Sequence, residues 1–416
     1  MSNFRKVFCN RDFTLLWAGQ IISQLGDRLS QMALIGLVYV KAPGSSLQIA
    51  KLLSFTIIPV FLIGPLAGAY VDRWDRRKTM YVCDLLRALL VVIIPLFLFN
   101  KGSFIWIYLI IFLAFSIGRF FVPAKLSIIP QLVGQKDLLL ANSLINTTGM
   151  IAAVLGFGIS GLIVEWLGAQ SGFFLDSISF LVSGILIFLI SRKNGHHKVD
   201  IKELSRDLVK AIQKSIWHDV KEGVVYFLKA KEIRFTSSLI FGLWSALGAV
   251  YVVIIVFVQN MLHSGTRDLG LLIMFLGIGL FLGSLVYGRF GQRISHYKII
   301  FYSLVASGIM LIGFVLGISY YPDFSIAALL ALLLGMVIAP IMIASNTIIH
   351  NASDQQMMGK IFSSLEIVMH LAFLVFMFLT SILAEHIPPQ YILVTVGTTI
   401  AALGIFQLVV HRKTPW

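Results

Sequence analysis

Twelve stretches of this chain are apolar over lengths that can cross the hydrocarbon core of a bilayer, which leaves few alternatives for its fold. They lie near residues 13–39, 48–71, 79–99, 103–124, 138–164, 171–191, 235–258, 268–289, 297–318, 324–349, 361–384 and 390–410. About 20 apolar residues rising 1.5 Å each cover a core of about 30 Å. Backbone N–H and C=O groups find no water at that depth, so each span must satisfy them internally, as a helix. Composition agrees: 58% of the 416 residues are hydrophobic and 12% charged, against about 25% charged in a soluble domain. The expected fold class is an all-α membrane protein of twelve transmembrane helices. Its first span, Phe13–Tyr39, exceeds the apolar core of a signal peptide, about 7–15 residues, and is expected to be retained.

A net charge of +14 suggests nucleic acid until the charges are placed. With the N-terminus in the cytoplasm, 26 of the 33 Lys and Arg residues fall on internal segments and four on external ones. That asymmetry is the positive-inside signature and puts both termini in the cytoplasm. The basic excess therefore reports topology, and no nucleic-acid partner is expected.

The longest polar interval, 192–234, separates six spans from six, which gives an N-terminal six-helix bundle (1–191), a cytoplasmic linker (192–234) and a C-terminal six-helix bundle (235–416). Within the linker, Ile201, Leu204, Leu208, Ile212 and Ile216 recur at helical steps, with Lys202, Arg206, Lys210 and Lys214 opposite. This pattern reads as an amphipathic helix on the cytoplasmic leaflet, or as a solvated connector. The halves also repeat: GPLAGAYVDRWDRRK at 64–78 returns 215 positions later as GLFLGSLVYGRFGQR. Gly64 and Gly68 align with Gly279 and Gly283, and Asp72 aligns with Tyr287. Paired glycines four apart let helix backbones approach closely. Parallel six-helix halves place a substrate cavity between them near the midplane.

The 64–78 segment resembles the loop between spans 2 and 3 of the major facilitator superfamily. Gly64, Gly68, Asp72, Arg73, Arg76, Arg77 and Lys78 carry the likeness, and Asp75 departs from it where a glycine is usual. FTLLWAGQIISQLGDRLS, FVPAKLSIIPQLVGQKDLLLANSL, FFLDSISFLVSGILIF and NTIIHNASDQQMMGKIFS are similar to the drug-efflux branch that includes macrolide-efflux proteins and the enterobactin exporter. The resemblance implies the major facilitator fold. It also implies a conformational latch at Asp72 with Arg73 and the basic turn, against a charge that only sets topology, and by analogy a cytoplasmic gate at Asp84 and Arg87, for which a locally paired charge couple is the alternative.

No G-x-x-x-x-G-K-[ST] loop occurs, so no site for direct use of ATP is visible. No metal-binding or catalytic motif is visible either; no cofactor is expected, and an enzyme is the least favoured class. A gradient then supplies the energy, at about 2.3 kcal/mol per charge per 100 mV. Asp27 lies mid-span, where an acid costs about 2.5–3.5 kcal/mol on insertion scales and marks an ion or substrate path. Desolvation favours its protonated form and a nearby cation its ionised form, so alternating access can load and unload a proton. Arg119 is the expected cation, because the resemblance implies that its span 4 neighbours span 1; Arg28 leaves the helix about 100° from Asp27. A permanent structural ion pair and a direct substrate contact are the alternatives for Asp27.

Asp84 and Arg87, three apart in span 3, can touch on one helix face. Glu366 and His370 share a face in span 11, and Glu366 is read as a latch partner. Asp176 in span 6 is placed near the external end, in water. The cavity candidates are Gln20 and Gln24, on one stripe with Asp27, together with Asn146, Trp244 and Tyr251. The midplane acid and the family resemblance together imply a proton-coupled exporter of amphipathic or hydrophobic small molecules across the bacterial inner membrane, among membrane lipids and active as a monomer. Two alternatives stand beside it: a lysophospholipid or lipid translocator using Arg28 and Arg119, and a non-transporting membrane sensor that docks a partner through 192–234.

Overall fold

In the computed structural model of the chain, residues 7–71, 74–99, 104–191, 231–291, 294–352 and 358–410 are described. Among them all regular structure is helical. The helices are α1 (Arg11–Lys41), α2 (Ser46–Leu62), α3 (Gly64–Val71), α4 (Arg76–Phe99), α5 (Phe104–Val133), α6 (Leu138–Leu167) and α7 (Ala169–Phe188). They continue as α8 (Lys231–Leu262), α9 (Arg267–Phe290), α10 (His296–Tyr320), α11 (Phe324–Ala352), α12 (Met358–Leu383) and α13 (Pro389–Val410). Among the described residues nine helical segments are long and apolar enough to cross a membrane, and two shorter apolar ones, Ser46–Leu62 and Ile367–Leu383, accompany them. α1 has the length, at 31 residues, but Gln20, Gln24, Asp27 and Arg28 lower its hydropathy below that of the nine.

Two boundaries differ from the expected ones. The second expected span is two helices, with the break at Ile63 in the run Leu62–Ile63–Gly64–Pro65; Pro65 has no N–H to continue the ladder. The fourth runs to Val133 instead of ending near 124, continuing as helix in spite of Pro123 and Pro130 inside it. The amphipathic segment expected at 201–216 lies outside the described residues, as do Asp72 and Arg73.

The described residues form two compact units, within Met1–Leu37 plus Leu52–Ile216 and within Val38–Lys51 plus Trp217–Trp416. In the first, α4 packs against α5 and α7, over a core that includes Phe13, Leu16, Met80, Phe121, Ile129 and Ile187. In the second, α9 packs on α11, α10 on α13 and α11, and α8 on α12. A hydrogen-bonded anchor explains why the turn between α1 and α2 joins the second unit. Ser45 Oγ and the Leu47 N–H both donate to Glu385 Oε1, at 3.0 and 3.1 Å.

The repeated glycines behave differently in the two copies. A Cβ on Gly279 or Gly283 would strike the carbonyl oxygens of Leu332 and Met336, so α9 and α11 meet backbone to backbone. A Cβ on Gly64 would meet nothing within 4 Å, which corrects the expectation of close packing there. Gly68 offers no described side-chain environment. Asp75, the departure from the family pattern, caps α4: its Oδ1 accepts the Lys78 N–H at 2.9 Å, satisfying one of the orphan donors of the first turn.

Candidate functional site

α1 and α7 run antiparallel along a seam of small residues. Gly19 faces Ser183, with an ideal Cβ 3.2 Å from its Oγ, and Ala33 lies 2.8 Å from the position of a Cβ on Gly172. Between them, a Cβ on Gly26 would fall on Ser179 Oγ and Asp176 Oδ1. Positions 19, 26 and 33 are seven apart, two turns of helix, so they stay on one face. The missing side chain at Gly26 lets α7 bring its polar groups to the level of Asp27, the next residue.

At that level α1, α4 and α7 enclose a polar cluster. Arg87 Nη2 on α4 donates to Asp27 Oδ1 at 2.6 Å. The guanidinium carbon of Arg87 also lies 3.9 Å from the centre of the Phe180 ring on α7, so one edge meets a carboxylate and one face an aromatic quadrupole. Ser183 Oγ donates to Asp84 Oδ2 at 2.6 Å. Ser30 Oγ donates to Asp176 Oδ2, and Ser179 Oγ to Asp176 Oδ1 at 3.2 Å. Asp84 and Asp176 are buried, whereas the Asp27 side chain keeps 30% of its exposure. Arg87 feels all three carboxylates, and the charge of Lys125 on α5 reaches Asp27.

Several sequence expectations change here. The ion pair of Asp27 is with Arg87, from the third span, and not with Arg119. α5 presents Gly118 to Arg87, with an ideal Cβ 3.6 Å from the guanidinium carbon; Arg119 leaves the helix about 100° further round. Asp84 and Arg87 share the cluster without bonding each other: Arg87 turns to α1 and Asp84 to Ser183 on α7. Asp176 is not in water but buried between two serines. Arg28 points away from Asp27 as expected, donating to Gln31 Oε1 at 2.8 Å with its guanidinium over Phe157 at 4.8 Å.

Within the first unit, Gln20 is buried and Gln24 half-buried on the same stripe as Asp27, while Asn146 is exposed on α6. Within the second, Trp244 and Tyr251 both pack on Phe373 of α12, at 6.2 and 5.3 Å between ring centroids, and Trp244 lies 5.6 Å from His370. Among the gate candidates, Arg77 donates to the carbonyls of Ile187 and Phe188, a cation closing the C-terminus of α7. Arg76 and Lys78 begin α4. The Glu366 side chain lies outside the described residues. Where the repeat replaces Asp72 by Tyr287, the phenol hydrogen-bonds His296 Nδ1 at 2.7 Å. Sequence reasoning missed Ser30, Ser179, Phe180 and Ser183. Asp176, Ser179 and Ser183 recur at helical spacing, which is the signal that could have placed them on one face.

Helices of spanning length, nine of them apolar enough to cross a bilayer, with a half-buried ion pair set among α1, α4 and α7 define a polytopic membrane protein. The chain belongs to the transmembrane secretion effector family of the major facilitator superfamily, whose sequence profile matches residues 5–406. It is 22% identical to macrolide efflux protein A of Streptococcus pyogenes, over 94% of either chain. It is 23% identical to the multidrug efflux pump Tap of Mycolicibacterium fortuitum, over 76% of each. To the uncharacterised MFS-type transporter YkuC of Bacillus subtilis (strain 168) it is 27% identical, over 85% of this chain and 81% of that one. Among solved structures, an inward-facing bacterial homologue of the iron transporter ferroportin matches with a TM-score of 0.70 at 15% identity, covering 95% of this chain and 98% of that one. The nucleoside transporter NupG matches at 0.69 and 10% identity, covering 96% and 98%. At those identities the likeness is one of fold. The protein is a major facilitator transporter of the bacterial cell membrane, not an enzyme.

Proposed function

We propose that this transporter is a proton-coupled exporter of amphipathic or hydrophobic small molecules, built as twelve spans in two six-helix bundles with both termini cytoplasmic. The observation that carries the coupling is the Asp27–Arg87 pair at 2.6 Å inside a cluster of three carboxylates. Three acids against one guanidinium and the nearby charge of Lys125 leave surplus negative charge in a medium that penalises it, so the cluster has a place for an exchangeable proton. Asp27 is the member that keeps exposure, which gives the cluster its contact with water for proton exchange. Protonated, it loses its ionic bond to Arg87, whose guanidinium is then drawn to Asp84 and Asp176 on the other side. Because Asp27 is on α1 and the others are on α4 and α7, the exchange of partner alters the grip of α1 on its neighbours.

Arg119 keeps a supporting role as a cation on α5, and Gln20, Gln24, Asn146, Trp244 and Tyr251 remain the candidates for cargo contact. The basic turn at Arg73, Arg76, Arg77 and Lys78 with Asp72, and Glu366 from span 11, are the proposed cytoplasmic gate. Efflux-type relatives support the direction and the cargo class. The test is transport of a macrolide into inverted vesicles under an imposed pH gradient, with and without an uncoupler. Wild-type flux should collapse with the uncoupler, and Asp27→Asn should fall at least tenfold with macrolide binding retained. Flux by Asp27→Asn that still follows the pH gradient would remove Asp27 from the coupling role.

A further inference from the structure

The second unit contains a groove of about 530 Å³ walled by α8, α10, α12 and α13. Its floor includes Ser245, Ala249, Leu304 and Thr380, all buried, and its rim Phe241, Leu379 and Leu403, each 43–51% exposed. The walls are segments long and apolar enough to lie in a bilayer, Ser238–Leu262, His296–Tyr320 and Pro389–Val410 among them. The large apolar side chains exposed along the rim suit hydrocarbon better than water.

The groove looks more polar in composition than it is. Its hydroxyls at Ser245, Thr380, Thr395 and Thr399 donate to the carbonyls of Phe241, Phe376, Tyr391 and Thr395, at 2.7–2.8 Å. Each hydroxyl hydrogen is thus spent on its own helix, which leaves the middle of the groove without a free donor. A cavity poor in polar partners holds water poorly and takes an apolar guest. Polarity remains at one end. Ser238 and Gln407 line it there, where Leu239, Ile300 and Leu408 pack into one core. The sequence adds Lys231, Glu232 and Arg234 in the first turn of α8, a net positive charge.

Length selects the guest. From Ser238 to Ala249 along α8, and from Thr395 to Gln407 along α13, the groove runs about 16–18 Å at 1.5 Å per residue. One leaflet contributes half of a hydrocarbon core of about 30 Å, so a single acyl chain fits from end to end with its headgroup at the Ser238 and Gln407 end. We infer that this groove is a binding site for one acyl chain of an anionic phospholipid, bound along α8 and α13 and apart from the ionic cluster of the first unit. The site does not depend on proton coupling.

Gly242 provides the test, because it lines the groove and a Cβ there meets nothing within 4 Å. The full chain in phosphatidylcholine nanodiscs would be photolabelled with phosphatidylglycerol carrying a mid-chain diazirine, and the labelled peptides mapped by mass spectrometry. Label should concentrate on 238–249 and 395–407, above that at Leu329, a 59% exposed residue of α11. Gly242→Leu, or Ala246→Leu should the first fail to fold, should reduce the groove label at least fivefold and leave Leu329 unchanged. Thr399→Val should change neither. Uniform labelling, or groove label indifferent to both filling variants, would overturn the site. Loss on Thr399→Val would overturn its apolar character, and equal labelling by the phosphatidylcholine analogue would overturn the anionic headgroup. Competition by a transported macrolide would replace lipid with cargo as the occupant.

Discussion

Asp27 and Arg87 depend on each other more than on any neighbour. Removing one partner of a buried pair costs about 3–5 kcal/mol, because the other charge is left uncompensated; the 30% exposure of Asp27 puts Arg87→Gln at the low end. The double variant Arg87→Gln with Asp27→Asn is expected to recover most of that loss. Thermal unfolding in detergent measures both, and a double variant no more stable than Arg87→Gln would deny the coupling. Gly26 is the second sensitive residue. Gly26→Val should fail to give folded protein by size-exclusion chromatography, since even its Cβ would displace Ser179 and Asp176. A monodisperse, active Gly26→Val would refute the seam between α1 and α7.

Among the elements, α4 carries a cap at Asp75, the basic residues of its first turn, and then Asp84 and Arg87 with their hydrogen bonds to other helices. Asp75→Ala should cost about 1 kcal/mol and Asp75→Gly only a few tenths, because glycine suits a cap position without a side-chain acceptor. Hydrogen exchange at the amides of residues 76–79 would show the difference, and equal protection in the two variants would contradict it. This element also shows what a sequence conceals. That Asp84 and Arg87 lie one turn apart is readable from the chain; that each turns to a different helix is not. The partners come from residues about 60 and 100 positions away, and helical periodicity carries no information about which neighbour a face will meet. For the same reason Asp176 reads as a wet acid near a helix end, although the serines that enclose it include Ser30 on another span.

Taken as a whole molecule, the chain is a sequence repeat with unequal packing in its copies. Gly279→Ala should lower the unfolding temperature by several degrees, since its Cβ would strike the Leu332 carbonyl, whereas Gly64→Ala should be tolerated. Equal effects would show that the two glycines do the same work. Nine of the expected spans fall on described helices long and apolar enough to cross a membrane, because hydrocarbon imposes one rule on every segment: bury apolar side chains and satisfy the backbone within the helix. That rule is local, so the sequence alone determined where most helices lie and the presence of a charge that needs a partner at depth, but not the break in the second span or the length of the fourth. Which cation answers Asp27, which glycine is pressed against a neighbour and where a groove opens beside α8 were decided by the tertiary structure. Those outcomes depend on distances between segments far apart in the chain, and only packing sets them.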